Sequence, residues 1–322
     1  MKRIILICLT MLVTAMPDYT QTKLAQTGFN FLNVATDARA SAMGDAVNSL
    51  SGYSGALFQN PASMADLTNL VSSTFSVNNW IADIRYLSAS AVFAPFSGDY
   101  GVIGVSLQSV DYGEIQGTMV ANNEASYVDT YIMKPNALAI GIGYAKMLND
   151  KFGVGAQVRY AYQSLGESQL ASGLKTNKAN ALAFDFGTVY KTGFESLAFG
   201  MSVRNFSKEV KFEEEGFQLP LNFTIGMSAN LFDFIGMPAS DHALLLTLDS
   251  THPRSHPEQV KFGAEYQFMK MFFLRGGFVT ANSEDSYTLG AGISTFGFEV
   301  DYAYTPFGVF DNVQRFTARF SF

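Results

Sequence analysis

"FGVGAQVRYAY", Phe152 to Tyr162, decides the fold. Phe152, Val154, Ala156, Val158, Tyr160 and Tyr162 fall on one side of an extended chain, and Gly153, Gly155, Gln157, Arg159 and Ala161 on the other. That period of two belongs to a β-strand. It returns in Val260, Phe262, Ala264, Tyr266 and Phe268 against Lys261, Gly263, Glu265 and Gln267. It returns again in Phe296, Phe298, Val300, Tyr302 and Tyr304 against Gly297, Glu299, Asp301 and Ala303. A soluble sandwich alternates in the same way. Here, however, many strands run to about ten residues, the length a tilted strand needs to cross a bilayer. Tyr160 with Tyr162, and Tyr302 with Tyr304, stand at the ends of apolar faces, where an interfacial girdle belongs. The other face mixes glycine with charge, which is tolerable where that face is wet.

Working outward from this stretch, strands start near Leu70, Arg85, Gly101, Asn136, Phe152, Asn180, Ser196, Leu221, Asp241, Gln259, Met271, Ser286, Phe296 and Val313. The reading is all-β: a transmembrane antiparallel outer-membrane barrel of about fourteen strands. Short turns such as "LNDKFG" alternate with longer polar loops, "VDYGEIQGTMVANNEASYVDT", "SLGESQLASGLKTNKAN" and "SKEVKFEEEGFQ". In outer-membrane barrels the longer loops face outside. The chain closes on "QRFTARFSF", in which Phe316, Ala318, Phe320 and Phe322 alternate with Thr317, Arg319 and Ser321. Phe316, Phe320 and Phe322 are the expected signal by which the barrel assembly machinery reads a final strand.

Composition agrees with a barrel in outer-membrane lipid. Among 322 residues there are 28 Gly, 29 Phe and 15 Tyr but only 15% charged residues. A net charge of -7 excludes nucleic acid as a partner. Lys2 and Arg3 followed by "IILICLTMLVTAM" read as a secretory signal over residues 1–20, cleaved between Ala15 and Gln26. Its removal takes away the sole cysteine, Cys8, and with it any disulfide or thiol chemistry. No later run approaches the roughly 20 apolar residues of a membrane helix.

Residues 21–68 break the period and form an expected helical hatch in the lumen of a barrel spanning 69–322. Asp37 caps a helix with a small stripe, Ala38, Ala42 and Ala46, beside an apolar one, Met43, Val47 and Leu50. Gly44 weakens such a helix by about 1 kcal/mol relative to Ala, which points to close packing. Pro61 turns the chain at Asn60, and "ASMADL" supplies a second short turn.

"FLNVATDARASAMGDAVNSLSGYSGALFQNPASMADL" resembles the N-terminal signature of the PorV/PorQ family of Bacteroidetes outer-membrane proteins, where an A-R-x-x-x-M-G-x-A stretch precedes an N-P-A turn. Ala38, Arg39, Met43, Gly44 and Ala46 carry the first part, and Asn60, Pro61 and Ala62 the second. The resemblance continues through "LLTLDSTHP", "VKFGAEYQF", "FFLRGGF" and "DYAYTPFG". It implies a non-enzymatic role in type IX secretion, with the large translocon pore and cargo bearing a C-terminal signal domain as partners. The family is similar in turn to the FadL fatty-acid channels, which leaves a passive channel for hydrophobic small molecules as the second reading.

No catalytic set, cofactor or metal site is expected. His252 and His256 stand four apart in "HPRSH", but Pro253 opposes the helix that would aim them at one metal, and His242 lies apart. Serine and histidine occur without the spacing of a hydrolase. Arg159, Asp185, Lys261, Glu265, Arg275, Glu299, Asp301 and Arg319 all fall on the face opposite the aromatics, and their mixed signs imply a cross-linked polar lumen. Arg39 is placed to pair with one of the carboxylates.

Overall fold

In the computed structural model, residues 27–322 are described apart from 123, 125, 171–172, 213–215, 237–240, 281–285 and 311. The signal over residues 1–20 and the start of the hatch lie outside the described residues. The strands are β1 (Val71–Asn79), β2 (Arg85–Phe93), β3 (Val102–Asp111), β4 (Ile115–Val120), β5 (Tyr127–Met133) and β6 (Asn136–Met147). Then come β7 (Phe152–Leu170), β8 (Gly173–Lys191), β9 (Ala198–Phe206), β10 (Val210–Lys211), β11 (Gly216–Phe217) and β12 (Asn222–Asn230). β13 (His242–Pro253), β14 (Gln259–Phe268), β15 (Phe272–Val279), β16 (Tyr287–Thr295), β17 (Phe298–Thr305) and β18 (Val313–Ser321) complete the series. All but β4, β5, β10 and β11 form one closed barrel of fourteen antiparallel strands, sealed by β1 on β18 from Ser72↔Ser321 to Asn79↔Gln314.

The wall is turned inside out relative to a soluble protein. On β1, Ser72, Thr74, Ser76 and Asn78 are buried, while Val71, Phe75 and Val77 are exposed. Such an outer surface is stable only when lipid covers it.

Two stretches read as polar loops are ladders instead. β7 and β8 continue past the barrel as a hairpin, with Glu167 opposite Thr176, so β8 begins at Gly173 rather than near Asn180. Within the loop after β3, β4 and β5 pair as a separate ribbon. Most of their described side chains are exposed, so neither shows the contrast between faces from which strands are read. A third correction is small: Phe296 and Gly297 both have positive φ and form a two-residue turn, so β17 starts at Phe298.

The hatch enters at the long-loop end, where Thr27 bridges Gln218 of the β9–β12 connection. Phe29 stacks there on Phe212 and Phe217, the flanks of the acidic loop, whose tip at 213–215 lies outside the described residues. The chain then descends through α1 (Ala38–Ala42) and the single turns Ser54–Phe58 and Pro61–Met64. It leaves at the short-turn end, where Val71 pairs with Phe322. Asp37 caps α1 as expected, accepting from Ala40 N at 2.9 Å. The helix stops at Ala42, well short of Leu50, because Gly44 and Asp45 take φ of 63° and 58° and turn the chain against the wall.

What holds the plug is a belt of inward glycines. A Cβ on Gly155 would lie 2.5 Å from Ala62 N, and one on Gly263 2.9 Å from the Met43 Cβ. Gly187 meets Asn60, Gly200 meets the Asn48 carbonyl, Gly277 meets Gly44 and Gly290 meets Ala42 in the same manner. Small residues in plug and wall therefore bring backbone onto backbone, and the small-residue sequence around Ala38 to Ala46 is explained by this fit.

Candidate functional site

The N-P-A turn fastens the lower half of the plug. Asn60 donates through Nδ2 to the carbonyls of Asn48 (2.8 Å) and Thr188 (3.1 Å), and its Oδ1 accepts from Ala62 N at 3.0 Å. Pro61 occupies the first position of the following helical turn, where no N–H is needed. Ala62 is fully buried over Gly155.

Opposite it, Arg39 on α1 grips the wall. Its Nε and Nη2 donate to Glu265 Oε2 and Oε1 of β14 at 2.8 and 2.7 Å, a two-pronged ion pair. Glu265 also accepts from Arg275 Nε at 2.5 Å. Arg275 continues to Asp301 and, at 3.1 Å, to Glu299; Arg319 joins the same two carboxylates, at 2.7 Å to Glu299. Tyr53 of the hatch lies between two of these cations, with Arg39 Cζ 5.1 Å and Arg319 Cζ 5.2 Å from its ring centre. Burial pushes the Tyr53 hydroxyl well above the usual phenol range, Asp37 adds to the rise, and the two arginines only partly oppose it. Burial alone would lower the Arg39 pKa; Glu265, joined by Tyr53 and Glu299, outweighs it and holds the group above its ordinary value.

Arg159 and Asp185 form a second, separate cluster on β7 and β8, paired at 2.7 Å. Asn205, at φ 61° in a bulge of β9, donates from its backbone to Asp185 at 2.7 Å, accepts from Arg159, and reaches Asn33 of the hatch at 3.0 Å. Seven of the eight expected lumen charges thus fall into two paired groups. Lys261 joins neither.

Four charged residues in the lumen were missed in the sequence. Asp249 accepts from Asn48 N at 2.9 Å, and Arg315 donates to Ser41 Oγ at 2.5 Å. Arg315 lies one step before Thr317, which alternation had placed inside, and Asp249 shares the inner face of β13 with buried Thr247 and Thr251, so following the period further finds them. Arg204 donates to the Phe58 carbonyl at 2.9 Å. It sits in the β9 bulge, where Arg204 and its neighbour Asn205 are both buried and the period fails. Asp45 points into the lumen only because of its left-handed backbone, which no pattern signals.

The expected assembly signal lies on the outer face. Phe316 is exposed, and Phe320 and Phe322 pack edge-on against Phe298. Of the histidines, His242 meets the Tyr266 hydroxyl at 2.7 Å and His252 meets Glu258 at 2.9 Å. Among the described residues no three His, Cys, Asp or Glu side chains converge as metal ligands.

The same barrel fold is found in solved structures. The Ralstonia pickettii toluene transporter TbuX is similar with a TM-score of 0.59 at 13% identity, over 90% of this chain and 99% of that one. The CymD monoaromatic hydrocarbon channel gives 0.61 at 12% identity, over 90% and 98% of the two chains. A Pseudomonas aeruginosa FadL homologue gives 0.55 at 13% identity, over 89% and 98%. At such identities the likeness is one of fold. No curated protein matches the chain. The family described as type IX secretion system protein PorV matches residues 18–249, a stretch that holds the whole described hatch and the wall through Asp249. With its fourteen-stranded outer-membrane barrel, its Asn60–Pro61–Ala62 turn and that match, the chain belongs to the PorV family of type IX secretion proteins.

Proposed function

We propose that this barrel works in type IX secretion without catalysis, by binding the translocon pore, cargo with a C-terminal signal domain, or both, at its long-loop end for delivery to the surface. The observation that carries the reading is the seated plug. With the hatch laid on a glycine belt and pinned through Arg39 and Asn60, the plug occupies the lumen that a cargo chain would have to cross. The work then falls to the outer surfaces. The long-loop end projects two ribbons, β4–β5 and the upper β7–β8 hairpin, and Ile115, Met119, Val120 and Ile132 are exposed on the first of them. Exposed apolar side chains on a projecting ribbon suit a protein partner. The closing Phe316, Phe320 and Phe322 serve in this reading as the signal for the assembly machinery.

A second reading, a channel for hydrophobic small molecules, draws on one feature of the wall. β9 pairs with β8 only from Phe184 to Lys191, so above Phe184 that edge of β8 has no ladder partner among the described residues. A groove of about 390 Å³ lies there, between Leu182 and Phe184 on one side and Lys208 to Val210 on the other. An apolar solute would leave sideways through it. One experiment separates the two: a mild-detergent pull-down of the tagged protein from its native outer membrane, with mass spectrometry of proteins and lipids. Recovery of a giant translocon barrel or of cargo sharing a C-terminal domain supports secretion. Recovery of the barrel alone with a stoichiometric apolar ligand supports the channel.

A further inference from the structure

Above the plug, a cavity of about 320 Å³ opens between the hatch and the upper wall of β14 to β18. It has room for about ten waters at ~30 Å³ each. Its lining brings together three charged side chains from distant parts of the chain: Asp45 from the plug, Lys261 from β14 and Arg315 from β18. Trp80 and Phe307 line it as well, edge to face with ring centres 5.3 Å apart. Arg315 lies over Trp80 at 5.2 Å, so its guanidinium is fixed in orientation.

Two of these groups keep unsatisfied hydrogen-bonding capacity among the described residues. Among the described residues Lys261 makes no hydrogen bond or ion pair, although every other expected lumen charge is paired. Asp45, held at φ 58°, lines the cavity, and among the described residues its carboxylate accepts no hydrogen bond at Oδ1. A ligand bearing the complementary groups would satisfy both.

We propose that this cavity binds a small carboxylate that also carries a neighbouring N–H or O–H donor, as an acylated amino acid or the last residue of a peptide does. The carboxylate sits between Lys261 and Arg315, the donor faces the Asp45 carboxylate, and the remaining carbon lies on Trp80 and Phe307. A plain hydrocarbon would strip water from the same three charges and return no hydrogen bond, so the cavity selects against it. The site stands whether the barrel serves secretion or a channel.

The test is isothermal titration of the full-length barrel in detergent with N-acetylphenylalanine, its carboxamide, and a ten-residue peptide ending in phenylalanine with a free carboxyl group. The acid should bind at millimolar concentration or below, and the carboxamide at least about tenfold more weakly, because it lacks the charge. Lys261→Met should lose at least about tenfold and Lys261→Arg should keep most of the affinity, with heat-modifiable migration on gels showing that both barrels fold. Tighter binding of the peptide than of the free acid identifies a chain terminus as the source, and equal or weaker binding a free solute; the cavity is a carboxylate site in both cases. Equal binding of acid and carboxamide, no heat from the acid, or full affinity in a folded Lys261→Met barrel overturns the proposal.

Discussion

A methyl group placed on Gly277 of β15 would overlap the backbone nitrogen of Gly44 in the plug. The two glycines meet where α1 has just ended, so the seat of the hatch is set by the absence of side chains on both partners. Gly277→Val should lift this part of the plug at a cost of about 1–3 kcal/mol. Amide exchange over residues 40–50 should then speed up by about tenfold or more. Gly276→Val is the control, since its nearest neighbour would be Leu289 Cδ2 at 3.8 Å on the outer face. Equal protection in both variants would show that the seat is not tight.

Arg39→Ala should loosen the hatch, because it leaves Glu265 buried beside one guanidinium instead of two. Breaking a buried pair from one side costs about 3–5 kcal/mol. Arg39→Lys should rescue little, since an ammonium cannot span both carboxylate oxygens. Thermal unfolding and protease sensitivity of the N-terminal segment provide the readout, and no change in either removes the latch from the account.

Alkaline pH should release the same region. Tyr53 has a folded-state pKa raised by burial, while the unfolded phenol titrates near 10. Its contribution to stability is therefore complete below about pH 10 and is lost as pH climbs through the folded value. Exchange protection of the hatch should be flat from neutrality to about pH 9 and decline above 10. Tyr53→Phe should flatten the alkaline limb; a decline that persists in Tyr53→Phe assigns it to another group.

Trimming Gly113 to Ser126 removes β4 and its turn while leaving every barrel strand intact. Membrane insertion, followed by heat-modifiable migration, should be unaffected. Surface display of cargo should fall sharply, and normal display would move the partner contacts to another loop.

The wall was legible because lipid outside and polar lumen inside give every strand the strongest period-two contrast a sequence can carry. Thirteen of the fourteen strand starts read from that contrast lie within two residues of the structure's, and the exception is β8, whose upper part is wet on both faces and has no contrast to read. The pairing of Arg39 was legible in kind, since a buried cation needs an anion, but not in partner: Glu265 lies 226 residues away. The inward glycines were visible as one half of an alternation, yet their purpose was not. Only the structure shows that Gly155 faces Ala62 and Gly263 faces Met43. Asn205 was hidden for a different reason, because a bulge shifts the faces beyond it.

The route of the hatch bears on how the molecule is made. The described chain starts at the long-loop end, runs down the whole lumen, and emerges beside Phe322 to begin β1. β1 is also half of the seam that closes the barrel on β18. Were the seam to close first, the segment from Thr27 to Leu67 would have to be pushed upward through a bore in which backbone already touches backbone. Wrapping the wall around a seated plug avoids that passage, so the glycine belt ties closure of the seam to the placing of the hatch.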